Sequence, residues 1–217
     1  MPAQSLETDA FVLLKRLPVD SFQSFTVFSA GHGLLLVLQR LPKTRTRSTT
    51  ARGQTASPIV ALDLFDEATL LLESSNQGRT WFVKESRLVT RPTGIGRSYE
   101  ALQSASALAA LIVRNPVHEE SRTAVAHLLR TAFDAFANSV RPDVVYFKSL
   151  YRFARDEGYP LKQQWFPTLP AATRTELAGL LNRPLAGQTA TPDSVVHLQR
   201  RLEEYLRGHT EILLGDT

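Results

Sequence analysis

The side chains able to do chemistry are few and scattered. The five histidines are His32, His118, His127, His197 and His209. No two of them stand four residues apart, the spacing that would put two metal ligands on one helix face. His118-Glu119-Glu120 starts like the zinc-protease motif HExxH, but the position that needs the second histidine holds Arg122, so a solvated histidine at a helix start is expected. There is no cysteine, which removes disulfides, thiolate nucleophiles and cysteine-based zinc sites together. Gly94-Ile95-Gly96 precedes a helical stretch and could offer N–H groups to a phosphate, but it lacks the third glycine of the dinucleotide fingerprint and reads as a linker. Neither GxSxG nor GxxxxGK[ST] occurs. The carboxylate pairs Asp66-Glu67 and Glu203-Glu204 read as solvated turn or helix residues. A nuclease would need an acidic metal-binding cluster, and none is evident. The expectation is a protein that is not an enzyme and carries no metal or cofactor.

What remains is charge. Gly33 to Arg52, GLLLVLQRLPKTRTRSTTAR, begins as an apolar run of strand length and ends with Arg40, Lys43, Arg45, Arg47 and Arg52 among Ser and Thr. No acid lies between Asp20 and Asp63. Residues 1–97 carry 12 Lys+Arg against 8 Asp+Glu, whereas residues 98–217 carry 13 of each, so the net charge of +4 belongs to the N-terminal part. A cationic loop on a strand suits a polyanion, because neutralising phosphates releases condensed counterions. The same composition suits a solvated loop without a ligand.

The elements that must carry this loop read as short strands. Residues 9–16, 24–29, 33–41, 69–75 and 80–89 have strand character, and Pro58 opens a further candidate, IVALDLF. Pro18, Asp20 and Ser21 mark a turn, Gly31-His32-Gly33 a tight connection and Asn76-Gln77-Gly78 a hairpin. Five or six strands at close intervals argue a small Greek-key barrel, and no helical stretch interrupts them to make βαβ units. Phe22, Phe25, Phe28, Trp81 and Phe82 fall in this barrel. Strand alternation puts Thr26 and Phe28 on one face and Phe25 and Val27 on the other, so only part of the aromatic set can face outward to stack bases.

At Arg91-Pro92-Thr93-Gly94 the period becomes helical. Helices are predicted over 98–114 (stripe Tyr99, Leu102, Ala105, Leu108), 118–139 with Glu119 and Glu120 in its first turn, and from Pro142 to a Gly158 cap. Two more are predicted near 171–182 and from Thr191 to Gly208. The fold class is thus α+β and multi-domain: residues 1–92 an OB-fold-like small β-barrel, residues 93–217 an all-α domain. At 217 residues and 43% hydrophobic content the chain can bury a sizeable core. No apolar run reaches the ~18 residues of a membrane span, and MPAQSLETDAF does not read as a secretory signal, so a cytoplasmic protein is expected.

Several segments, taken in order, resemble the RecO family of bacterial recombination mediators. Ala10-Phe11-Val12-Leu13 is similar to that family's first strand, and Phe25-Thr26-Val27-Phe28-Ser29 followed by Gly33 to its FTxxxG segment. Arg40, Lys43, Arg45 and Ser48 resemble its basic loop, Pro58 and the following strand its LxPf segment, and Phe153–Pro160, FARDEGYP, its helix ending in GYxP. Leu202–Leu206 resembles its terminal Lxxyl. The chain departs from the pattern at Leu41, near the place of a loop glycine, and at Ala154–Arg155, where the helix motif has Glu. The four-cysteine zinc motif that many members carry after GYxP is missing, with Gln163-Gln164-Trp165 in its place, so no zinc is expected.

The resemblance implies binding of single- and double-stranded DNA, annealing of complementary strands, and docking of the acidic, Phe-ended tail of single-strand-binding protein. It implies work with RecR, indirectly with RecA, in the bacterial cytoplasm at the nucleoid, and no membrane partner. DNA contacts are expected from Arg40, Lys43, Arg45, Arg47 and Arg52, assisted by Lys15 and Arg16, on phosphates and without sequence readout. An acidic tail wants an apolar pocket rimmed by cations, for which Phe147, Lys148, Tyr151, Arg152 and Arg155 are the candidates. The competing reading is a protein-interaction module that binds no DNA, suggested by the neutral, apolar-striped helical part.

Overall fold

The computed structural model describes residues 4–41 and 60–215. The chain divides into two compact units, Met1–Arg91 and Pro92–Thr217.

The first unit contains strands β1 (Gln4–Lys15), β2 (Phe22–Ser29), β3 (Gly33–Arg40), β4 (Glu67–Ser74) and β5 (Trp81–Thr90). They close into a barrel in the order β1-β2-β3-β5-β4. Neighbours are antiparallel except at the seam, where β3 and β5 run parallel and Val37 meets Trp81 and Leu38 meets Phe82. This is the OB-like barrel that the strand spacing predicts, closed at a short seam of two residue pairs.

Strand β1 serves two neighbours. Gln4–Phe11 pairs with β4, and Phe11–Lys15 pairs with β2. The register slips between Val12 and Leu14, and such a bulge bends a strand enough for both halves to pair. The sequence pattern reveals β1 only from Asp9, because Leu6 is the one large apolar residue ahead of it; pairing with β4 makes that half a strand. The interior is filled by alternate residues, among them Val12, Phe25, Val27, Val37, Leu70 and Leu72. Fully burying each such side chain is worth ~1.5–3 kcal/mol. Gly33, at φ +69°, supplies the left-handed residue that turns β2 into β3.

The sixth strand candidate is not a strand. Pro58 and Ile59 lie outside the described residues, and Val60–Asp66 is irregular. Its backbone groups are satisfied mainly by side chains. Gln39 donates to the Val60 carbonyl (2.7 Å) and accepts from the Leu62 N–H (3.2 Å), while Ser86 Oγ also donates to Val60 (3.1 Å). Its backbone pairs with β1 at Val12 alone among the described residues, through Phe65 N–H (2.8 Å) and the Asp66 carbonyl (2.9 Å). Leu62 and Phe65 are buried, so its apolar residues act as a plug and not as a ladder. The Asp66 carboxylate, wholly buried, accepts from Arg91 Nε (2.8 Å), Arg91 Nη2 (2.6 Å) and the Asp63 N–H (2.7 Å). Burial of Asp66 overturns its expected solvation.

The second unit is helical: α1 (Tyr99–Arg114), α2 (Arg122–Asn138), α3 (Pro142–Asp156), α4 (Ala171–Asn182) and α5 (Pro192–His209). Ser98 and Thr191 cap α1 and α5 by accepting from Ala101 N–H and Ser194 N–H. Gly158, at φ +92°, ends α3 with its own N–H on the Arg155 carbonyl and that of Tyr159 on the Ala154 carbonyl. Two expectations need correction. The buried face of α1 starts at Ala101 and runs through Ala105, Leu108 and Ile112, leaving Tyr99 73% and Leu102 39% exposed. Small alanines, Ala101 and Ala109 beside the expected Ala105, belong to the packed stripe. Glu119 and Glu120 stand in a separate 3-10 turn ahead of α2 and not in its first turn. Gly94 is also more than a linker residue: a Cβ there would run into the Ala137 carbonyl near the end of α2.

Candidate functional site

Two surfaces gather the residues that the sequence singles out. The first is the outer face of β2, β3 and β5. Register pairs Phe22 with Arg40, Ser24 with Leu38 and Thr26 with Leu36, while Phe25 and Val27 point inward. Of the aromatics singled out as able to stack bases, Phe25, Phe28 and Trp81 are buried. Phe22 and Phe82 remain half-buried, with their rings edge to face at 5.7 Å and 72°. A ring pair in this geometry is rigid and keeps part of its π surface open.

Cations rim this pair. Arg40 ends β3 exposed, Arg16 follows β1, and neither has a side-chain partner among the described residues. Arg79, which sequence reasoning passed over, sits exposed on the β4–β5 loop three residues before Phe82 and also has none there. That loop is held in shape: Gln77 and Gly78 take φ +59° and +79°, Gly78 N–H donates to Ser74 Oγ (3.0 Å), and Thr80 N–H to Asn76 Oδ1 (3.0 Å). Nothing in composition marks one arginine in a polar turn.

Lys15 differs from its expected role. It pairs with Asp63 at 2.9 Å, which spends its charge locally. Burial pushes the Asp63 carboxyl up, but hydrogen bonds from Lys15 and the Leu64 N–H, with the charges of Lys15 and Arg91, bring it below its ordinary value. Lys84 is likewise paired, with Glu73. Lys43, Arg45, Arg47 and Arg52 lie outside the described residues. The chain leaves for that segment at Leu41, whose N–H donates to the Ser21 carbonyl (2.8 Å), and returns at Val60 on Gln39. Both ends therefore sit at the end of the barrel that carries Arg40 and Phe22.

The second surface is a groove of about 940 Å³ in the helical unit. Lys148, Tyr151, Arg152 and Arg155 of α3 line it, together with Lys162, Phe166 and, from α4, Leu181. Four of the five residues expected to hold an acidic tail thus share one depression. Phe147 does not: it is wholly buried in the helical core, because the face of α3 that carries Val144, Leu150 and Ala154 carries it too. Lys162 is the cation that the sequence reading missed, hidden in a loop without periodicity. No Asp or Glu lines the groove.

The groove's cations are already oriented. Asp156, behind them, accepts from Arg152 Nε (3.3 Å) and from Arg155 Nε (2.9 Å) and Nη2 (2.7 Å). Lys148 Nζ donates to the Arg183 carbonyl (2.6 Å), and burial pulls its pKa down. Burial pushes the Tyr151 phenol up, opposed by the charge of Arg155. Such a site offers aromatic and aliphatic walls with fixed N–H donors, which fits one carboxylate beside an apolar group.

Beyond Pro160, Trp165 is buried between Tyr151 and Tyr205, with ring centroids at 6.3 Å from each. His118 is not merely solvated: its Nδ1 lies 3.0 Å from Glu157 Oε2. Among the described residues no three His, Asp or Glu side chains gather as metal ligands, and no helix is long and apolar enough to cross a membrane. No protein-family model matches the chain, and no curated protein matches it significantly.

Proposed function

We propose that the protein is a non-enzymatic DNA-binding mediator of the RecO type, which holds single- and double-stranded DNA on its barrel, anneals complementary strands, and helps load a recombinase onto DNA coated with single-strand-binding protein. The observation that carries this reading is the half-buried Phe22–Phe82 pair with Arg40 opposite Phe22, where Arg40, Arg16 and Arg79 have no side-chain partner among the described residues. Exposed aromatics stack bases of any sequence at ~1–3 kcal/mol each, and cations track the backbone. The barrel itself supports the reading only by analogy, since one fold hosts many functions. On this reading the groove takes the acidic, Phe-ended tail of single-strand-binding protein, RecR is a further partner, and the protein works in the cytoplasm at the nucleoid.

The test is anisotropy of a labelled oligothymidylate. Phe22→Ala with Phe82→Ala should weaken binding about 30-fold or more, since two lost stacking contacts cost at least ~2 kcal/mol. If Arg40, Lys43, Arg45, Arg47 and Arg52 all meet phosphates, log K against log salt should slope at about −3.5, and exchanging the five for Ala should flatten it. Binding that ignores both sets refutes the assignment. A protein-interaction module is the second reading, favoured by the groove. It is the better one if the helical unit captures a tail peptide, loses it when the terminal Phe is removed, and the barrel binds no DNA.

A further inference from the structure

The β1–β2 loop carries a feature that the DNA-binding reading does not use. Its tip exposes two aliphatic side chains, Leu17 at 87% and Val19 at 70%. Exposed apolar residues on a slack loop would mean little, but this loop is braced. Val19 and Phe22 exchange two backbone hydrogen bonds, each 3.0 Å. Arg16 N–H donates to the Ser24 carbonyl (3.0 Å), and Gln23 Nε2 donates to the Arg16 carbonyl. Pro18 fixes one φ, and Asp20 completes the turn at φ +53°. The chain therefore holds Leu17 and Val19 in water on a stiff stalk, against the hydrophobic effect.

The surroundings point to the occupant. Val19 bridges to Phe22, and Phe22 contacts Phe82, so the aliphatic tip continues into the aromatic pair. Arg16 opens this loop and Arg40 stands opposite Phe22 in the ladder, each side chain with no partner among the described residues; Asp20, exposed at the turn, is the one acid in the loop. An apolar ridge between unpaired arginines is complementary to a base pair's flat face between two phosphate chains. Leucine, proline and similar side chains wedge into base steps and unstack them, and an end or fork offers the face at least cost.

We propose that Leu17 and Val19 form a wedge that stacks on the last base pair where duplex meets single strand, giving the protein a preference for such junctions. This rests on the DNA-binding reading and adds to it a substrate form. The full-length protein is compared on a tailed duplex, a single strand of the same length and a blunt duplex, with 2-aminopurine in the last base pair. The wild type should prefer the tailed duplex about 5- to 10-fold, as expected of one stacked pair, and should brighten the probe. Leu17→Ser with Val19→Ser should abolish both effects while single-strand affinity stays within about twofold, since the substituted side chains are exposed. Equal affinity of the wild type for all three forms, or a preference that survives in the variant, overturns the wedge and leaves the barrel reading standing. Failure to bind DNA in any form overturns both. Sedimentation that shows self-association abolished by the variant, without junction preference, assigns the tip to a second copy of the chain and also overturns the wedge.

Discussion

Replacing Arg91 by Ala tests whether the irregular segment Val60–Asp66 is part of the barrel or an ornament on it. The wild-type Asp66 carboxylate is 0% exposed and accepts two hydrogen bonds from Arg91 and one from the Asp63 N–H. Arg91 Nη2 also donates to the Ala61 carbonyl at 2.8 Å, so one guanidinium ties both ends of the plug. Its hydrogen bond to Asp66 raises its pKa, so it is charged at every usable pH. Removing it leaves a buried carboxylate with one donor. Breaking a buried pair from one side costs ~3–5 kcal/mol, and Arg91, being 38% exposed, should fall at the lower end, ~3 kcal/mol. Asp66→Asn should cost less, ~1–3 kcal/mol, because a neutral amide keeps the shape. The double variant should cost less than the sum, with a coupling of ~1–3 kcal/mol. The chain has two tryptophans, Trp81 in β5 and Trp165 in the helical unit. Urea unfolding followed through Trp81 in a Trp165→Phe background reports the barrel. A loss below ~0.5 kcal/mol for Arg91→Ala, or strict additivity, would refute the latch.

The other two predictions concern the helical unit. Burial, with the charge of Glu203, pushes the Tyr146 phenol up to about 12 against the opposing charges of Arg114 and Arg207. Between pH ~10 and ~12 the unfolded chain has lost this proton and the folded chain still holds it, so stability should fall with rising pH by as much as ~2–3 kcal/mol. Tyr146→Phe should flatten that fall in urea titrations followed through Trp165, and an unchanged slope would count against it. Gly94→Ala should cost ~1–3 kcal/mol by forcing Cβ against the Ala137 carbonyl, although φ of −66° suits alanine; Gly96→Ala, which meets nothing within 4 Å, is the control.

Strands and helices were legible wherever period and burial coincide. Phe25 and Val27 alternate into the barrel core, and Val125, Leu128, Ala132 and Phe136 line the buried face of α2. The failures share one cause. Ile59–Phe65 looks apolar enough for a strand, but Val60–Asp66 bonds to side chains of Gln39, Ser86 and Arg91 that are distant in sequence, and local pattern carries no sign of them. Gln4–Thr8 is the converse, a strand made by its partner β4. In the groove, Lys148, Tyr151, Arg152 and Arg155 were legible because one helix presents them at close spacing, whereas Lys162 arrives from an irregular loop. Phe147 was misassigned because an aromatic next to Lys148 looks like a pocket wall, whereas packing turns it inward with Val144 and Leu150.

The arginines of the barrel face and those of the groove are in opposite states, and this bears on what each can bind. Affinity for a polyanion grows with each condensed counterion released, so the useful cation is one that no carboxylate has yet neutralised. Arg16, Arg40 and Arg79 meet that condition among the described residues, and Lys15, tied to Asp63, does not. In the groove Asp156 holds Arg152 and Arg155 at 3.3 and 2.7 Å, which removes most of their long-range pull. It also fixes their N–H directions, and a held donor loses less entropy when a ligand carboxylate arrives. Prepaired arginines are therefore poor at gathering DNA and well suited to one short acidic group. The barrel face, with unpaired charge beside an open ring pair, has the reverse character. The mediator role we propose accordingly assigns the strand to the barrel face and the peptide end to the groove.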